Sequence, residues 1–76
     1  MKDAKKKILM LIMNDVSDSN YKVRELENEK HYLRDRQLIR GDIVEAEISA
    51  AEYSISYWKE LNKESVELYA YVKANY

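Results

Sequence analysis

The sequence predicts an all-α protein, a small antiparallel three-helix bundle with a long C-terminal helix, completed by dimerisation or by a partner. Two observations carry this expectation. Among 76 residues there is one glycine, Gly41, and no proline, so sheets lack the residues that tight turns need and helices lack the residues that interrupt them. From Val44 onward, apolar residues recur at alternating steps of four and three, the spacing of a helical seam. The length allows a single domain spanning residues 1–76, and a chain this short buries only about 60% of the surface it exposes unfolded.

The first helix is expected over residues 3–16. Lys5-Lys6-Lys7 leads into the apolar run Ile8-Leu9-Met10-Leu11-Ile12-Met13, far below the roughly 20 residues that cross a bilayer. The basic start resembles that of a signal peptide, but Asn14-Asp15 closes the run early and no small-residue cleavage site follows. Ser17-Asp18-Ser19-Asn20 then predicts a loop, because these side chains compete for backbone hydrogen bonds and cap helices well. Asn14 to Asp18 has the acidic character of a calcium loop without its glycine or its terminal glutamate, so calcium is set aside.

A second helix follows over 21–40. Val23, Leu26 and Leu33 share a narrow stripe with Lys30 and Gln37, while Tyr21, Tyr32 and Ile39 lie opposite. Two narrow stripes suit a helix that touches partners on both sides, or one anchored lightly to its own domain. Gly41 marks its end, and Asp42-Ile43-Val44-Glu45 has the form of a capping box for the next helix.

The third helix is expected over 43–75. Val44, Ile48, Ala51, Ile55, Trp58, Asn62, Ser65, Tyr69, Val72 and Tyr76 keep the four-three spacing, and Ile43, Ala50, Tyr57, Leu61, Leu68 and Tyr71 form a second row beside it. Together they make an apolar arc wider than the roughly 100° stripe of a surface helix. Asn62 and Ser65 interrupt the seam, either as a break near 62–65 or as a polar layer that sets register.

Chemistry is poorly supplied. His31 is the single histidine and there is no cysteine, so the chain is read as non-enzymatic, with no metal, cofactor or small-molecule substrate. Glu27, His31 and Asp35 fall on one helical face at steps of four, short of a full ligand set with its supporting shell. The carboxylates of Glu25/Glu29 and of Glu60/Glu64/Glu67 sit among other charges and lack the contrasting environments of an acid/base pair. The missing cysteine fits a reducing, cytoplasmic setting.

Charge is near balance at −1, but residues 1–41 carry ten basic against seven acidic side chains, and residues 42–76 carry three against seven. Seven tyrosines, one tryptophan and no phenylalanine suit half-wet boundaries and interfaces. These features point to a small protein-binding regulator, adaptor or inhibitor, acting as a homodimer or on a larger partner. Its size and composition are those of small stand-alone helical proteins of phages and mobile elements. The expected contact surface is Tyr21, Tyr32, Arg36, Ile39 and Arg40 on the second helix, with Tyr53, Tyr57 and Tyr71 on the third. The alternative is a nucleic-acid-binding regulator using Arg24, Lys30, Arg34, Arg36 and Arg40, although Glu25, Glu27, Glu29 and Asp35 interleave with them. No membrane association is expected.

Overall fold

The computed structural model describes residues 2–41 and 43–75, which form two α-helices: α1, Lys2–Arg40, and α2, Glu45–Asn75. They pack antiparallel as one long hairpin. The fold is all-helical as expected, but the three-helix bundle is corrected to two helices. The segments expected over 3–16 and 21–40 are one rod, of length about 58 Å at 1.5 Å per residue.

The difference lies at Ser17-Asp18-Ser19-Asn20, where a loop was expected and α1 runs straight through. Each of these residues costs a helix interior at most about 0.7 kcal/mol relative to alanine, and no glycine or proline makes the interruption obligatory. Ser19 also continues the seam: its hydroxyl donates to the carbonyls of Asp15 (2.9 Å) and Val16 (3.0 Å), and the residue is only 3% exposed. Tertiary burial outweighs the local preference for a cap.

The seam is formed on α1 by the buried and half-buried residues Ile8, Ile12, Val16, Ser19, Val23, Leu26, Lys30, Leu33 and Gln37, and opposite them by Val44, just before α2, and Ile48, Ala51, Ile55, Trp58, Asn62, Ser65, Tyr69 and Val72 on α2. The α2 set is the four-three row read from the sequence, apart from Tyr76, which lies outside the described residues. On α1 two successive steps of four, Ile8 to Ile12 to Val16, insert a stutter that locally unwinds the pairing.

α2 is unbroken through Asn62–Ser65, and Asn62 is a polar layer. Its Nδ2 lies 2.9 Å from Ser19 Oγ, 3.0 Å from Asn20 Oδ1 and 3.1 Å from the Val16 carbonyl. The two amide hydrogens serve all three acceptors, so the seam carries a satisfied polar contact that only one register allows.

Gly41 makes the turn. Its φ of +71° is left-handed, and its N–H donates to the Gln37 carbonyl at 3.1 Å, the single-bond ending that glycine favours at a helix C-terminus. α2 starts two residues later than expected: the Val44 carbonyl accepts from Ile48 N–H at 2.9 Å, while the Val44 side chain, 3% exposed, closes the turn end of the seam. The capping box rests on Asp42, outside the described residues. Nothing would crowd a Cβ at Gly41, so Gly41→Ala should cost only the left-handed strain, about 1–2 kcal/mol. Urea unfolding followed by helical circular dichroism measures this, and Gly41→Asn should lose less.

The result is a ribbon one layer thick, 59 × 14 × 12 Å with a radius of gyration of 17.3 Å, against about 11 Å for a compact domain of this length. It exposes 6222 Å² of surface, whereas a folded monomer of 9.1 kDa ordinarily exposes about 4900 Å². Among the described residues, no side chain falls below 2% exposure.

Candidate interaction surface

A two-helix ribbon has two broad sides, and the residues next to the seam give them different chemistry. Side chains at the seam or one residue past it bring opposite charges together along one edge. Glu27 meets Lys59 at 3.5 Å, and Glu52 accepts both Lys30 (3.3 Å) and Arg34 (3.5 Å). All of these groups are partly solvated, so each pair stabilises the hairpin by at most about 1 kcal/mol. Their orientation matters more than their strength, because they fix which edges of the helices meet.

The other edge is apolar and acidic. Asp15, Asp18 and Leu61 rim an open hollow over Ser19, Trp58 and Ser65. Further toward the turn, Leu26, Glu29, Glu47, Ala50, Ala51 and Ser54 line a second one. The second row of α2 runs along this side, and most of it is uncovered: Ala50, Tyr57, Leu68 and Tyr71 are all exposed, with Leu61 half-buried, and Ile43, just before the helix, is 92% exposed. Tyr57 leans edge-on against Trp58, with ring centroids 5.6 Å apart at 84°. This contact holds the tyrosine upright beside the seam.

The residues expected to form the surface fall into two groups. Tyr32, Arg36, Ile39 and Arg40 share one shallow hollow with Asp35, and the Arg36 guanidinium sits 5.9 Å from the Tyr32 ring centroid, within range of a cation–π contact. Tyr21 is exposed three turns earlier, about 16 Å up the same helix. On α2, Tyr57 and Tyr71 lie in the second row, and Tyr53 is exposed further out. The surface expectation omitted Leu11, Leu61 and Leu68. Leu61 and Leu68 stood in the second row of the apolar arc, and Leu11 in the apolar run of the first helix.

The basic row of α1 is divided. Lys30 and Arg34 turn toward Glu52, which reduces the positive field a phosphate backbone would meet. Glu27 is drawn to Lys59, away from the His31 and Asp35 line, and among the described residues no three His, Asp or Glu side chains converge as a metal site would require. No described helix is long and apolar enough to cross a membrane. Comparison with protein-family models, with curated proteins and with solved structures finds no match for this chain.

Proposed function

We propose that this protein is a non-enzymatic docking module, a small helical adaptor or inhibitor that lays the apolar side of its hairpin on another protein surface. The observation that carries this reading is the second row: Tyr57, Leu68 and Tyr71 on α2, with Ile43 just before it, stand exposed, and among the described residues no third element covers them. Contiguous exposed apolar area rimmed by polar groups marks interaction sites. Tyrosine, of which the chain has seven, is enriched where interfaces gain most of their energy. The hollows on this side are open depressions rather than enclosed cavities, which suits a protein surface better than a small substrate.

Site-specific photo-crosslinking in the native cells tests the reading. Tyr57 replaced by benzoylphenylalanine should form protein adducts, and Ser49, exposed on the other side, should form several-fold fewer when replaced in the same way. Equal labelling from both positions, or no protein adduct from Tyr57, overturns the assignment of that side.

A further inference from the structure

We propose that the open end of the hairpin pairs with a second copy of this chain, antiparallel about a twofold axis near Leu11 and Leu68, with Lys7 of each chain against Asp15 of the other. This rests on the docking reading above and names its occupant.

The register of the hairpin places the residues. Lys5 Nζ donates to the Lys73 carbonyl and Asn62 Nδ2 to the Val16 carbonyl, so residue numbers facing each other across this half of the ribbon total 78. Leu11 therefore lies level with Leu68, Lys7 with Tyr71, and Asp15 with Glu64, each within one residue. Lys7, Leu11 and Asp15 descend α1 at steps of four, and Tyr71, Leu68 and Glu64 descend α2 at steps of three and four, so each triplet shares a helix face. Asp15 and Leu61 rim the same hollow, which puts the two triplets on one side of the ribbon.

Each triplet reads donor, leucine, acid from the open end inward. A twofold axis through the leucines reverses one copy over the other. Lys7 then falls on the partner copy's acid at position 15, and the Tyr71 hydroxyl falls on the partner copy's carboxylate at position 64. Every such contact forms twice, as an isologous interface requires. A twofold axis along the helices would instead lay α1 on the partner copy's α2, setting the Asp15 carboxylate on the partner copy's carboxylate at position 64 and leaving Lys7 over the partner copy's tyrosine at position 71. The pattern is therefore complementary to itself in one orientation and repulsive in the other. Among the described residues, no ion pair within the chain uses Lys7, Asp15 or Glu64.

Area agrees with this occupant. The hairpin exposes roughly 1300 Å² more than a compact monomer of its mass, and a stable interface takes about 800 Å² from each partner. Leu11 and Tyr71, each 65% exposed, and Leu68, 51% exposed, supply its apolar centre.

Sedimentation equilibrium of the full chain at about 100 µM, at low salt, is the test. The expected mass is twice 9.1 kDa. Lys7→Glu should weaken the dimer at least tenfold, and adding Asp15→Lys to it should return the affinity to within about threefold of the original. Circular dichroism of each variant separates lost pairing from lost folding, and Leu68→Glu, at an exposed position, provides a second variant that should dissociate the dimer while staying helical. A monomer at this concentration overturns the proposal, as does a dimer indifferent to Lys7→Glu. A monomer that still gives crosslinks from Tyr57 to other proteins discards the second copy and keeps the docking reading.

Discussion

Ile55→Ala should destabilise the hairpin by about 2–4 kcal/mol, the range for truncating a buried isoleucine. Ile55 is 7% exposed and sits in the middle of the α2 seam. A chain of 76 residues commands only about 4–11 kcal/mol in total, and a one-layer core belongs near the lower end. Losing the three outer carbons of Ile55 therefore removes a large share of the stability, with a melting temperature lower by roughly 15 °C. Thermal melting and urea unfolding read by circular dichroism measure it. Tyr53→Ala, on the exposed outer face, should stay within about 0.5 kcal/mol of the parent. If the two variants cost the same, the seam is not what holds the helices together.

Replacing the polar layer should act in the opposite direction. Ser19→Ala combined with Asn62→Leu removes both polar side chains at the centre of the seam and fills it with apolar atoms. Stability should rise by about 1–3 kcal/mol, as when buried polar contacts give way to packed hydrocarbon. Register should suffer, because the Asn62 amide no longer selects the Val16–Asn20 turn. Spin labels at Lys6 and Lys73 would report this as a broadened distance distribution beside a raised unfolding midpoint. Asn62→Ala alone should instead cost about 1 kcal/mol, since the cross-helix hydrogen bonds are lost and nothing replaces them. A double variant that is less stable than the parent would mean the layer stabilises the fold rather than specifying its register.

The helical class was legible because it depends on residues the chain lacks: with one glycine and no proline, few other folds remain. The α2 seam was legible position by position, because four-three spacing is a statement about which residues share a face. The number of helices was not. Ser17 to Asn20 carries a strong local loop signal, and that signal competes with a weaker periodic one, the steps from Val16 to Ser19 to Val23 that continue the α1 stripe. Single-chain propensity cannot weigh the partner that decides between them, Asn62, which is more than forty residues away. The same blindness affected the surface. Tyr57 and Tyr71 were singled out because aromatic side chains draw attention, and Tyr32, Arg36, Ile39 and Arg40 because they cluster on one turn and the next. Lys7, Leu11 and Asp15 escaped because their relation to Leu68 exists only once the two helices are aligned end to end.

That alignment also dictates an order of events when the chain folds. The two rods are joined through the short segment 41–44, so a contact near the turn, such as Arg34 with Glu52, encloses a short stretch of chain, whereas Lys5 with Lys73 encloses nearly all of it. Ring-closure entropy rises with the enclosed length, and pairing therefore spreads from the bend outward like a zip. The tips bearing Lys5 and Lys73 engage last and part first, so Leu11 and Tyr71, each 65% exposed, lie on the segment that spends the longest time unattached.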